Sequence, residues 1–335
     1  MEVPRAAFTA TTLSDGRVLV TGGFGTETRS MPASTELFDP VSRTFSAGPD
    51  MGAPRLGHTA TLLADGRVLI AGGLLPNGDA LDTAETFDPA TNTFAPAGPM
   101  TTTRADQEAV RLQDGRVLLL GGTGRDFDFR SSAEVYDPAT GTFSATGSLA
   151  APKESLTATL LRDGRVLVTG GHNGRHEGIT IFATTEMYDP TTGSFTAGPQ
   201  MATPRHKHDA VLLSDGRVLV LGGSDARDDA GRYATTELFD PATGAFASGP
   251  TMAAVRYKFR LTSLLLPDGR VVVAGGADVP EVLDREAVAF TPMAGHLGRE
   301  PVFAVASVLP DGTVLLVGGY SLSGPASDAA WLLTP

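Results

Sequence analysis

A chain of 335 residues exceeds the roughly 250 to 300 residues at which one hydrophobic core stops growing, so its length implies two domains or a repeat array. Hydrophobic residues at 41% and charged residues at 19% suit a soluble globular protein, and 40 Gly with 23 Pro ask for many turns. A net charge of -12 argues against nucleic-acid or anionic-membrane partners, zero Cys excludes disulfides, thiol catalysis and Cys-ligated zinc, and no run approaches the ~20 apolar residues of a membrane helix.

In chain order, one phrase organises the sequence. DGRVLVTGG at Asp15 recurs as DGRVLIAGG at Asp65, DGRVLLLGG at Asp114, DGRVLVTGG at Asp163, DGRVLVLGG at Asp215, DGRVVVAGG at Asp268 and DGTVLLVGG at Asp311, with spacings of 50, 49, 49, 52, 53 and 43 residues. A second phrase follows each of the first five copies, as ELFDPVSRTF at Glu36, ETFDPATNTF at Glu85, EVYDPATGTF at Glu134, EMYDPTTGSF at Glu186 and ELFDPATGAF at Glu237. Degraded copies are EAVAFTP at Glu286 and AAWLLTP at Ala329. Each unit reads as four strands. Strand A precedes the Asp-Gly, as in HTATLL from His58, and Asp-Gly turns it into the apolar strand B. Strand C carries Phe or Tyr and stops at Asp-Pro, and strand D is centred on Phe45, Phe94, Phe143, Phe195 or Phe246. Seven A–B hairpins predict an all-β chain of seven antiparallel blades, at about 1–49, 50–99, 100–148, 149–199, 200–250, 251–297 and 298–335, in one domain. Only five strands D are well formed, so blades 6 and 7 are expected either to be three-stranded or to be completed by segments outside this sequence; no long shared closing strand is expected from residues 1–4.

The paired Gly after strand B and the aromatics of strands C and D resemble kelch repeats over nearly the whole chain. That resemblance implies a seven-bladed kelch-type β-propeller and fixes no function, since such propellers include adhesion and scaffold modules, oxidases, isomerases and metal-dependent enzymes. SLLLPDGRVVVAGG at Ser263 looks like the propeller strands of galactose oxidase. Its copper-radical chemistry needs a tyrosine crosslinked to a cysteine and does not carry over: the chain has no Cys, and Phe259 and Arg260 stand where a Tyr-His pair would be sought.

In a propeller the starts of strands A and the B–C loops open on one face, where functional groups are expected. Aligning strands A on their Asp-Gly turns places Arg5, Arg55, Arg104, Lys153, Arg205 and Lys258 in one position, with Pro301 in the seventh. Two readings stay open for this basic ring: a mouth that attracts an anionic ligand, or repeated pairing with neighbouring blades and backbone carbonyls. Residues that break the repeat carry more information. ADQE gives Asp106 and Glu108 beside Arg104; HKHD gives His206, Lys207, His208 and Asp209 beside Arg205; Glu154 follows Lys153, and Arg260 lies beside Lys258. The B–C loops of blades 3 to 5 are TGRDFDFRSS, HNGRHEGITIFA and SDARDDAGRYA, the last ending near Tyr233.

Four of six histidines fall on blades 4 and 5, so His172, His176, His206 and His208 with Glu177 and Asp209 form a candidate His/carboxylate site for Zn, Fe, Mn or Ca, with solvated or packed histidines as the alternative. His206 and His208, two apart on a strand, should share a face; His58 fits the repeat and reads as structural. A metal-free reading makes Glu108 or His208 a general base, with Arg104 or Arg205 stabilising an oxyanion. Arg55, Asp106, Lys153, Glu154, Lys207, Tyr233, Lys258 and Arg260 would line the ligand site. Two functions are carried forward: a module, expected to be monomeric, that binds a small anionic molecule, glycan or protein at blades 3 to 5, or a lyase, isomerase or hydrolase in the same funnel. The compartment is left open. No signal peptide is recognisable at MEVPRAAFTATTL, yet an exported protein can lack Cys as readily as a cytosolic one, and a longer precursor could carry the signal.

Overall fold

The Asp-Gly turns set the repeat. In blade 1, strand A (Thr9–Thr12) pairs antiparallel with strand B (Val18–Thr21), and between them Leu13 N–H donates to Arg17 O (2.8 Å) while Gly16, at φ +86°, closes the loop. That left-handed third position is free of steric cost only for Gly. Asp15 locks the turn by accepting from its own neighbour, Arg17 N at 3.0 Å and Arg17 Nε at 2.8 Å, and the same bonds recur at Asp65, Asp114, Asp163, Asp215 and Asp268. Strand B is buried along its length, which its unbroken apolar run requires. Strand C (Thr35–Asp39) then pairs with strand D (Thr44–Ala47), and Phe38 packs on Phe45 with ring centroids 4.9 Å apart.

The computed structural model describes residues 1–25, 30–175, 178–321 and 324–335. It forms two compact units. One comprises Met1–Glu154 with Pro325–Ala329 and holds blades 1 to 3; the other comprises Ser155–Gly324 with Ala330–Pro335 and holds blades 4 to 7. In the first unit the late segment returns to the N-terminus, where Arg5 N–H donates to Ser327 O at 3.1 Å and the Met1 ammonium to Asp328 O at 2.9 Å. Among the described residues no helix is long and apolar enough to cross a membrane.

Blades 1 to 6 are four-stranded and blade 7 has three strands among the described residues, Val302–Val308, Val314–Tyr320 and Ala330–Leu333. Blade 6 corrects the sequence reading. Its strand C is Glu281–Leu283, not the EAVAFTP segment, and its strand D is Phe290–Pro292. A short B–C connection brings strand C forward, so the degraded phrase supplies the fourth strand instead of the third.

Candidate ligand-binding site

The recurrent arginines serve the fold. Arg104 is fully buried; its Nε meets Glu134 Oε1 at 2.8 Å, and its Nη1 donates to Gly121 O (3.0 Å) and Ser132 O (2.9 Å). The second Glu134 oxygen accepts from Thr101 N at 2.6 Å. Arg5–Glu36, Arg55–Glu85, Arg205–Glu237 and Arg256–Glu281 repeat this clamp, each joining the start of strand A to the first Gly of the pair ending strand B and to the Glu of strand C in one blade. In blade 4 the equivalent Lys153 and Glu186 are both buried. The basic ring is therefore not a mouth open to an anion, and Arg55, Arg104, Lys153 and Arg205 lie beneath the surface. Blade 6 departs from the aligned register: two extra residues separate its clamp from its Asp-Gly turn, so Arg256 and not Lys258 is the clamp residue.

Two residues after each clamp position, and after Pro301 in blade 7, the backbone turns left-handed. Ala7, Gly57 and Asp106 in the first unit, and Ser155, Lys207, Lys258 and Phe303 in the second, all have φ between +50° and +64°. Within the second unit these positions are linked in series: Lys207 N–H donates to Ser155 O (3.1 Å), Lys258 N–H to Lys207 O (3.0 Å) and Phe303 N–H to Lys258 O (2.7 Å). A left-handed turn of this kind costs a non-Gly residue about 1 to 2 kcal/mol and persists where its surroundings over-determine it. It also breaks the two-residue alternation of a strand, so His206 and His208, on either side of Lys207, do not share a face.

Each histidine and carboxylate of the candidate metal set consequently goes its own way. His208 is buried with Nε2 2.9 Å from Thr169 Oγ1 and 3.2 Å from Thr157 Oγ1, which repeats the seat of His58 between Thr9 and Thr21. Gln107 takes that seat in blade 3, donating to Ala71 O at 2.8 Å. Asp209 turns toward blade 6 and accepts from Thr262 N (3.3 Å) and Ser263 N (3.0 Å). His206 and His172 do meet, Nδ1 to Nδ1 at 3.1 Å with their rings edge to face, and His206 Nε2 lies 3.0 Å from Ser224 Oγ. His176 and Glu177 lie outside the described residues. Among the described residues no three His, Asp or Glu side chains gather as a metal site would require. Glu108 and Glu154 are buried, Tyr233 lies under the Arg205 guanidinium at 5.6 Å, and Arg260 is half-buried, close enough to disfavour charge on His208.

Burial holds these imidazoles neutral. It lowers His58 to about 3, helped by the Arg55 charge, and lowers His206 to about 3, helped by Lys207 and His172; His208 is likewise pushed well down by burial and Arg205. The unfolded chain binds a proton near pH 6.5 where the folded chain does not, so each histidine removes stability as pH falls below 6.5, by about 1.4 kcal/mol per pH unit. Asp209, raised by burial to about 6, acts oppositely between its unfolded value near 3.9 and pH 6. His58 and His206 against Asp209 leave a net loss of about 1.4 kcal/mol per unit between pH 6 and 4, and His208 acts in the same direction. The substitution His58→Gln, which gives blade 2 the residue that fills the same seat in blade 3, is expected to flatten the pH dependence of urea unfolding by about 1.4 kcal/mol per unit. An unchanged slope in that variant would show that His58 is not buried neutral.

The charged groups that do converge belong to blades 5 to 7. The B–C loop of blade 5 carries a single 3-10 turn, Asp228–Gly231, and Asp228 is held by Lys207 Nζ at 2.7 Å and Lys258 Nζ at 3.5 Å. The lysine side chains are only 20% and 15% exposed. Burial lowers the Lys258 pKa, the Lys207 charge adds to it and Asp228 opposes it; for Asp228 burial acts upward, but the Lys207 hydrogen bond and both ammonium charges outweigh it and the carboxyl stays below its ordinary range. Aromatic faces surround the pair. Lys258 Nζ lies 4.8 Å from the Tyr257 ring centre and 5.8 Å from that of Phe303, and Phe303 stacks on Tyr320 at 5.9 Å. Arg232 also lies over the Tyr257 ring, at 5.6 Å, and is matched by Asp229 at 3.2 Å and Glu300 at 3.0 Å. The Tyr257 hydroxyl is buried without a hydrogen-bond partner among the described residues, and burial followed by the Asp228 and Asp229 charges raises its pKa. Sequence reading singled out Lys207 and Lys258 but not Asp228, Tyr257 or Phe303; the aligned positions two residues past each clamp, which vary from Ala to Lys to Phe, were the available signal.

A family model described as Kelch motif matches residues 156–202 of this chain, a stretch that contains the four strands of blade 4. No curated protein matches the sequence. A solved structure titled "Structure of YjhT" is similar over 100% of this chain and 96% of its own, with a TM-score of 0.66 and 13% sequence identity. At that identity the likeness speaks for the fold alone.

Proposed function

Because the chain is a kelch-repeat β-propeller, a fold that fixes no chemistry by itself, we propose its function from one cluster: it binds a small carboxylate-bearing molecule at the Lys207–Lys258 pair. The observation that carries this reading is the convergence of two largely buried ammonium groups on a single carboxylate, among aromatic faces, at positions where the other blades place Ala, Gly, Asp, Ser or Phe. Lysine is costly to desolvate, and a fold that needed only packing there has smaller residues available in its own repeats. We put the site on blades 5 to 7 instead of the 3 to 5 funnel expected from charge density, because Arg104 and Arg205 are held in clamps and His206 and His208 are buried against His172, Ser224, Thr157 and Thr169.

Calorimetric titration with acetate, benzoate and phosphate tests the reading. Lys207→Met and Lys258→Met keep the stem of the side chain and remove the charge, so each is expected to weaken carboxylate binding at least tenfold with the melting temperature little changed. Equal affinities in wild type and both variants would remove the lysine pair from consideration.

A further inference from the structure

Deepening that reading and resting on it, we infer that Asp228 is the chain's own occupant of the ligand's carboxylate seat, and that the ligand carries its carboxylate on a flat, unsaturated or aromatic frame. Three observations lead there. The seat already holds a carboxylate, with Asp228 Oδ1 on Lys207 and Oδ2 on Lys258, so its spacing suits the two oxygens of a carboxylate. Asp228 reaches it from a loop with its side chain 43% exposed, whereas the lysine side chains are 20% and 15% exposed and their backbones are tied in series to successive blades. The displaceable partner of the three is thus the acid. Next to the seat lie the half-buried face of Phe303, which stacks on Tyr320 at an interplanar angle of 25°, and the buried Tyr257 hydroxyl, which has no hydrogen-bond partner among the described residues. A flat acid that displaced Asp228 would lay its frame along the Phe303 ring and bring a second oxygen within reach of an unsatisfied donor.

An internal occupant must be displaced before ligand binds, which weakens apparent affinity by the fraction of molecules whose seat is free. Relieving the charge of Asp228 should therefore strengthen binding, the opposite of what loss of a structural ion pair does. Benzoate, cyclohexanecarboxylate and acetate are titrated into the full chain, its Asp228→Asn variant and its Phe303→Leu variant. We expect Asp228→Asn to bind benzoate at least tenfold tighter than wild type, benzoate to exceed cyclohexanecarboxylate and acetate by about tenfold, and Phe303→Leu to lose that preference while still binding acetate. Unchanged or weaker benzoate affinity in Asp228→Asn overturns the stand-in role, and equal affinity for the three acids in wild type overturns the flat frame. These failures are distinct from failure of the underlying site, in which no acid binds wild type or Asp228→Asn, or the lysine variants bind as well as wild type.

Discussion

Replacing Arg104 with alanine is expected to lower unfolding stability by about 3 to 5 kcal/mol, the range for breaking a buried ion pair from one side. The Glu134 carboxylate would stay buried with Thr101 N as its remaining main-chain partner, and the carbonyls of Gly121 and Ser132 would each lose a donor. Exposed ion pairs behave differently: Arg17–Asp15, on a turn and about one-third to one-half exposed, is worth about 1 kcal/mol at most. Arg104→Lys should fall between wild type and Arg104→Ala, because an ammonium can meet Glu134 but cannot span the carboxylate and two carbonyls together. Urea unfolding monitored by circular dichroism measures both variants. A loss below about 1 kcal/mol for Arg104→Ala would mean that the clamp is not what holds strand A to strand C.

Gly122→Val is expected to cost about 4 kcal/mol or more, at the extreme of single substitutions. Gly122 has φ +85°, and its N–H donates to Lys153 O at 3.0 Å, so the second Gly of the pair joins one blade to the next clamp residue. A Cβ there would run into the carbonyl oxygen of Ala105 and stand 2.9 Å from Gln107 N, both backbone atoms that cannot swing aside. Gly141 separates conformation from contact. It shares the sign of φ, at +69°, yet a Cβ would meet nothing within 4 Å, and Asn92 occupies the same turn position in blade 2. Gly141→Asn should cost about 1 kcal/mol or less. If the two variants melt alike, close approach at the paired Gly contributes nothing beyond backbone preference.

The blades were legible because their turns have few chemical solutions. Asp-Gly-Arg closes each of the first six A–B hairpins from within its own three residues, and the Phe38–Phe45 type of pair marks strands C and D whatever surrounds them. Blade 6 was misread at strand C for the corresponding reason: its Glu281–Leu283 strand lacks the aromatic, and the phrase that keeps it belongs to strand D. The site was less legible. Arg104 and Glu134 are thirty residues apart, and nothing local says that they touch, although the joint recurrence of Arg in strand A with Glu in strand C was a readable sign of pairing. Aligning Lys258 with the clamp residues failed because two extra residues in blade 6 shift its register. His206 and His208 were placed on one face by strand periodicity, and the left-handed Lys207 between them cancels it. Asp228, Phe303 and Tyr257 come together only through the fold, from a loop and two different blades.

The most direct test of the proposed site is a crystal structure of the protein soaked with benzoate. Its carboxylate is expected within hydrogen-bonding distance of Lys207 Nζ and Lys258 Nζ, with its ring against Phe303 and Asp228 turned out to solvent. Benzoate bound elsewhere, with both lysines still on Asp228, would contradict the account.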